Sequence, residues 1–257
     1  MAESRGRKQY LFVIGQLTGR ELKRKYARSY LGIFWSVLNP LLSMAVLSLI
    51  FSRMFRRSIE NYPIYYLTGF LIWQTFTGAT NGAMTALVDN KALLMKVKVP
   101  MEIFLLSRVY TSFINLGYSF LAYLIMLFVF RLRLSWTMLL TPLILGGLFL
   151  FSLGMAQILA VAYVFFGDMK HLYSVMLTLW MYCSAIFYPV EQLEGVIRIV
   201  VLNNPLFAMI DGARKVMMYG TFPSLLQWAQ ILIWSVGLYF AGVFVFRKNR
   251  NLLMQKI

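Results

Sequence analysis

The sequence predicts an all-α integral membrane protein. It has six transmembrane helices, an N-terminal amphipathic interface helix before them, and two short re-entrant helices before the last span. Three observations carry that prediction. Of 257 residues 60 % are hydrophobic, and the mean hydropathy is +0.69, whereas soluble domains hold about 45–50 % apolar residues. Six apolar runs each approach the ~20 residues that a helical bilayer crossing needs. Near Tyr30 a cluster of cations gives way to apolar residues within about one helical turn. A soluble helix has no cause for such a step, because its polar and apolar residues alternate around the axis. A bilayer surface imposes it, with cations at anionic head groups and apolar side chains in the hydrocarbon.

The elements follow in order. Tyr10 to Ala27 reads as an amphipathic helix in the interface plane, with Leu11, Ile14, Thr18, Leu22 and Tyr26 on one face and Gln16, Arg20 and Lys23 turned away. The six spans are expected at about Tyr30–Met54, Ile64–Val88, Leu105–Phe130, Met138–Phe166, Leu172–Val190 and Leu225–Phe246. Asn39-Pro40 should kink the first. In the second, Gly78, Gly82 and Ala86 make a small-residue series that lets another helix approach closely. Between Pro189 and Pro223 the chain is too apolar for a solvated loop and too interrupted to span. Two short helices split at Asn203-Asn204-Pro205 and dipping back into the outer leaflet suit it.

The net charge of +16 does not point to nucleic acid, because the cations flank apolar runs instead of forming a stripe interleaved with acceptors and aromatics. With both termini in the cytoplasm, Lys and Arg divide about two to one in favour of that side, mostly before Ser29. No cleaved signal peptide is expected, since the first residues are polar and lack a small-residue cleavage site.

Much chemistry is missing. No G-x-x-x-x-G-K-[ST] phosphate loop occurs, so the chain does not hydrolyse nucleotide by that route. His171 and Cys183 are single examples of their type, too few for a metal site or a disulfide. The acids Glu60, Asp89, Glu102, Asp168, Glu191, Glu194 and Asp211 sit at span ends, which leaves a membrane-embedded enzyme little to work with. Spans essentially free of charge also argue against an ion-coupled carrier. Energy for pumping must then come from another chain. The basic segment 89–108, helix-compatible and stopped by Pro100, is placed to receive it in a partner's groove.

These stretches resemble a known family. RELKRKYARSYLGIFWSVLNPLL (20–42) is similar to the first segment of the membrane subunits of type-2 ABC exporters for polysaccharides, which carry O-antigen, capsular polysaccharide or wall teichoic acid. LVDNKALLMKVKVPMEIFLLSRV (87–109) resembles their coupling loop, and NNPLFAMIDGARKVMMYG (203–220) their outer gate. VFFGDMKHL (164–172) resembles the turn after their fourth span, with Gly167 where the family has arginine.

The resemblance implies a single transmembrane domain over 1–257. Residues 1–29 form the cytoplasmic N-terminus with its interface helix, and 30–190 the first five spans. Gate helices occupy 191–223, the sixth span 225–246 and a cytoplasmic tail 247–257. It implies a homodimer in the bacterial inner (plasma) membrane, bound to two copies of an ATP-hydrolysing subunit that holds the ATP and Mg. This chain would need no cofactor of its own. A lipid-linked glycan would pass outward between the two subunits. Coupling to the ATPase falls on Asn90, Lys91, Lys96, Lys98, Pro100 and Glu102, and gating on Asn204, Pro205 and Arg214.

Sugars stack their C–H faces on aromatic rings, so Tyr65, Tyr66, Trp73 and Phe76 on the second span, with Trp180, Tyr182, Phe187 and Tyr188 on the fifth, are expected along the channel. Arg24, Lys25 and Arg28 could meet a lipid pyrophosphate at the cytoplasmic mouth, or simply anchor head groups. The neighbouring possibility on the same fold is an exporter of drugs, haem or lipids.

Overall fold

Apolar stretches that must satisfy their own backbone polar groups in lipid have little choice but helix, and helix is what forms. The computed structural model describes residues 2–27, 29–54, 59–96, 99–132 and 134–256, and among these no strand occurs. In chain order the helices are α1 (Ala2–Tyr26), α2 (Phe34–Phe51), α3 (Tyr62–Met84), the short α4 (Ala86–Asp89) and α5 (Lys91–Lys96), and α6 (Glu102–Val129). A 3-10 turn at Trp136–Leu140 then leads into α7 (Thr141–Phe165). After it come α8 (Met169–Tyr182), α9 (Gly195–Leu202), α10 (Pro205–Arg214) with a π turn at Lys215–Tyr219, and α11 (Leu225–Lys256).

Four helical stretches are both long and apolar enough to cross a membrane: α2, α6, α7 with its leading turn, and α11. The broken pair α9 and α10, bent by 77°, makes a fifth if read as one span. Two of the six expected spans therefore fall short, for different reasons. α3 has 23 residues but keeps Gln74, Asn81 and several threonines among its apolar side chains. α8 has only 14 residues. The remainder of the fifth apolar run is a buried turn, whose Ser184, Ala185 and Ile186 are wholly enclosed. Apolarity there serves packing against neighbouring helices instead of helix length.

The core is stacked in two layers. One gathers α3, the far halves of α6 and α7, α8 and α10 around Tyr66, Phe76, Phe151 and Met209. The other joins Leu17 of α1, Leu94 of α5, the start of α6 and the end of α11 around Phe104, Phe246 and Leu253. α1, α5 and the basic end of α11 thus share one rim. α7 and α11 are the most closely packed pair. A Cβ added to Gly154 would lie 2.4 Å from the Leu238 carbonyl oxygen, and one added to Gly242 would lie 2.4 Å from the Gly154 oxygen. Only glycine allows backbones that close. Gly78 and Gly82 are used as the sequence suggests, facing Ser112 and Arg108 of α6.

The face that α1 packs is rotated from the expected one. Leu17, Thr18 and Glu21 are buried, while Leu11 stays 64 % exposed. The reason is an acid in the face, because Glu21 has a cationic partner on α6.

Candidate functional site

A cleft of about 900 Å³ opens between α1, α2, α3 and α6. Its walls are polar although the helices around it are apolar. α3 contributes Gln74, Thr77, Gly78 and Asn81, spaced to share one helical face. Trp35 and Asn39 come from α2, and Thr111, Ser112, Asn115 and Ser119 from α6. Some of these groups are used internally: Tyr26 donates to Asn115 Oδ1 at 2.9 Å, and Ser119 Oγ donates to the Ser36 carbonyl at 2.8 Å. The carboxamides of Asn39, Gln74 and Asn81 have no hydrogen-bond partner among the described residues and face the cleft. Arg24 and Lys25 line the same cleft at its α1 edge.

Along one wall of the cleft, lined by Glu21, Asp89 and Arg108, an ion network binds α1 to the start of the second connecting segment. Arg108, in the second turn of α6, places Nη1 2.8 Å from Glu21 Oε2 and Nη2 3.1 Å from Asp89 Oδ2. Thr85 Oγ1 also donates to that Asp89 oxygen at 2.8 Å. Arg20 donates to the side-chain oxygen of Asn90, and Asn90 Nδ2 donates to the Ala86 carbonyl at 2.7 Å. Asn90 is buried, so the residue that starts the α5 segment is held from both sides. Arg108 lies three residues inside the third expected span, and two carboxylates neutralise it.

At the opposite end a second cluster holds the turn that follows α8. Arg214 is 1 % exposed and has no carboxylate partner among the described salt bridges. Its Nη1 donates to the Ala185 carbonyl and its Nη2 to the Ile186 carbonyl, both at 3.0 Å, and Nε donates to the Tyr65 carbonyl at 3.3 Å. The guanidinium lies flat over the Tyr65 ring, 3.4 Å from its centroid. The hydroxyls of Tyr62 and Tyr65 donate to the carbonyls of Phe187 and Tyr188, each at 2.9 Å. Gly69 makes room for this, since a Cβ there would lie 2.8 Å from Arg214 Nη2. Asn204 closes the other side. Its Oδ1 caps α10 at Leu206 N and accepts from Trp180 Nε1 at 2.9 Å, while its Nδ2 donates to the Cys183 carbonyl at 2.8 Å.

The family pattern of ABC-2 type transporters matches residues 13–218, which covers the cleft, the rim network and the pinned turn. The chain belongs to the ABC-2 type transporter family. It is 29 % identical over 251 residues to the O-antigen export system permease protein RfbA of Myxococcus xanthus, spanning 97 % of this chain and 96 % of that protein. It is 30 % identical over 236 residues to the protein of the same name from Klebsiella pneumoniae, covering 89 % and 91 % of the two chains. Against the polysialic acid transport protein KpsM of Escherichia coli it is 20 % identical over 247 residues, or 91 % and 92 % of the two.

Within this ABC-2 domain the residues singled out from sequence fall into distinct groups. Asn204, Pro205 and Arg214 do converge, on the 183–188 turn. Lys91 and Lys96 are exposed on α5, Asn90 is buried in the rim network, and Pro100 is half-buried. Lys98 and Arg28 lie outside the described residues. Glu102 turns away from α5 into a separate crevice with Pro100, Arg247 and Arg250.

The aromatics divide. Tyr65, Tyr66, Trp73 and Phe76 are buried within the single chain, with Tyr66 against Phe70 and Phe187, and Phe76 edge-on to Trp180. Phe187 and Tyr188 are half-buried, and Tyr182 is 56 % exposed.

Sequence reasoning missed the α3 carboxamide stripe, Glu21 and Arg108. Each had a signal. Gln74, Thr77 and Asn81 recur at helical spacing inside an apolar run, Glu21 is the lone acid in a basic cluster, and Arg108 falls within the third expected span.

Proposed function

We propose that this chain is the transmembrane subunit of an ATP-driven exporter that moves a lipid-linked polysaccharide outward across the bacterial inner membrane. Two copies would flank the path, each bound to an ATP-hydrolysing subunit that holds ATP and Mg, with both termini cytoplasmic and six helical passes counting α3 and α8. α9 and α10 are the outer gate. The observation that carries this reading is the polar cleft. Free carboxamides beside Trp35 offer hydrogen bonds and a stacking face to sugar hydroxyls and rings, a lining that an apolar drug or haem does not need. The names of the relatives, O-antigen export and polysialic acid transport proteins, point the same way.

Arg24 and Lys25 at the cleft edge suit a pyrophosphate. α5 presents exposed Lys91 and Lys96 to the ATPase, and the rim network passes its displacement to α1, α3 and α6. Contact with glycan from the aromatic set falls to Tyr182, which has an exposed ring.

The test is reconstitution with the ATPase subunit in proteoliposomes. A polyprenyl-pyrophosphate glycan should stimulate ATP hydrolysis and become protected inside inverted vesicles. Gln74→Leu with Asn81→Leu should remove that stimulation while basal hydrolysis persists. Stimulation by haem, drugs or free lipid instead of glycan would refute the proposal.

A further inference from the structure

Away from the cleft, a crevice of about 400 Å³ opens between the start of α6, the end of α7 and the basic end of α11. The polar cleft does not reach it, and of the residues expected to couple to the ATPase only Pro100 and Glu102 line it, away from the exposed lysines of α5. Two of its lining residues carry an acceptor with nothing to accept from: Glu102 Oε2 and Gln157 Oε1, the latter beside Gly242, are both buried and without a hydrogen-bond partner. Gln157 is 5 % exposed, so its side chain is fixed in place. The rim carries Arg247 and Arg250, both exposed and free of any described salt bridge. The remaining wall is apolar, formed by Leu106, Leu153, Val243 and Phe246.

Depth places this crevice at a membrane surface. α11 has 32 residues, which at 1.5 Å per residue is about 48 Å, more than the ~30 Å of a hydrocarbon core. Arg247 lies about 33 Å along it, where a helix that starts at the far boundary emerges among phosphates.

An occupant must therefore carry N–H donors for the two buried acceptors, an anion for two arginines, and an apolar body. From these features we infer that the crevice binds a membrane phospholipid whose head group joins a primary ammonium to a phosphodiester. The ammonium, with three donors, reaches Glu102 and Gln157. The phosphate is held by the forked guanidinium donors of Arg247 and Arg250, and an acyl chain lies along Leu106 and Phe246. A lysine of the ATPase subunit could supply the ammonium but brings no phosphate and no acyl chain, so the arginines and the apolar wall favour lipid.

The test needs no export assay. The purified full-length chain is titrated, under native mass spectrometry, with phospholipids of one acyl composition whose amine carries zero, one, two or three methyl groups. Affinity should fall stepwise, at least about tenfold from the primary amine to the trimethylated head, as donors are removed. Glu102→Gln combined with Gln157→Leu should flatten the series, and Arg247→Ala with Arg250→Ala should weaken all four lipids alike. Equal binding across the series by the unsubstituted chain would overturn the inference, and that measurement survives misfolding of any variant. So would a methylation preference that persists in the Glu102/Gln157 variant. A crosslink from an ATPase lysine to Glu102 that excludes lipid would overturn it as well.

Discussion

Replacing Arg214 by methionine should release the turn that follows α8. The guanidinium holds two carbonyls at 3.0 Å and one at 3.3 Å, and it covers the Tyr65 ring. Methionine fills similar space but leaves the carbonyls of Ala185 and Ile186, both enclosed, without this donor; each such loss costs about 1–3 kcal/mol. The cation–π contact adds about 2 kcal/mol when desolvated. Relief from burying an unpaired charge offsets part of the sum. About 3 kcal/mol is therefore the expected loss, roughly a hundredfold in the opening equilibrium, since 1.36 kcal/mol is tenfold.

Cys183 reports on it directly. It is the single cysteine of the chain, half-buried in the same turn, and its carbonyl accepts from Asn204. Maleimide labelling of Cys183 should accelerate at least about tenfold in Arg214→Met, partial exposure of the thiol limiting the gain. Arg214→Lys should fall between, because one ammonium cannot span both carbonyls and has no plane to lay on the ring. Tyr65→Phe, which keeps the ring but loses one hydrogen bond, should cost about 1 kcal/mol. If Arg214→Met labels at the unsubstituted rate and melts at the same temperature, the turn is held by something other than this side chain.

Three further outcomes follow from the packing. Arg108→Leu removes the cation shared by Glu21 and Asp89 and leaves Glu21 only the longer contact to Arg20 at 3.5 Å, a loss of about 1–3 kcal/mol. It should let the partner's ATPase run without export, and glycan-dependent stimulation retained in that variant would show that the rim network carries no coupling. Gly154→Ala forces a Cβ against the Leu238 backbone oxygen and should lower the unfolding temperature in detergent by several degrees. Gly147→Ala meets side-chain atoms instead of backbone, the Ile231 methyl at 2.8 Å and Ser235 Oγ at 3.2 Å, and should do less; equal melting of the two would contradict the close α7–α11 approach. Tyr182→Ala should slow glycan export with little change in stability. Trp180→Ala should destabilise instead, because Trp180 bonds Asn204 and packs on Phe76 and Phe151, and thermal unfolding of both variants checks the contrast.

The contrast between Tyr182 and Trp180 also shows what a sequence can carry. Apolar runs and their charged flanks are local properties, so the long helices and the rim that carries α1, α5 and the α11 tail were legible. The break at Asn203–Asn204 was legible too, because asparagine before proline caps a helix and cannot continue one. Which aromatic faces outward was not, because eight similar rings at span positions differ only in what packs on them. Arg214 shows the same limit from the other side. In a list of cations it is one more outer-loop charge, and only the arrival of Tyr65 from 149 residues away turns it into a buried donor. Non-local pairing also hid the fifth span, since Cys183–Tyr188 is as apolar as a helix and is kept from being one by Arg214, Asn204 and two tyrosines.

α3 is what gives these separate clusters a common mechanism. Its first turn carries Tyr62 and Tyr65, which bond the pinned turn, and just past its last residue Thr85 bonds Asp89 beside Asn90 and Arg108. Between them run 23 residues without proline in the interior, about 35 Å of helix, with Thr68, Thr75 and Thr80 returning their hydroxyls to their own backbone. Such a helix moves as a rod. Under the proposed function, displacement of α5 by a bound ATPase would be conveyed along α3 to residues 185–188, and the Gln74–Asn81 face between the two ends lines the polar cleft. A helix too polar to pass for an ordinary span therefore connects the rim network to the pinned turn, and its polar face lines the cleft between them.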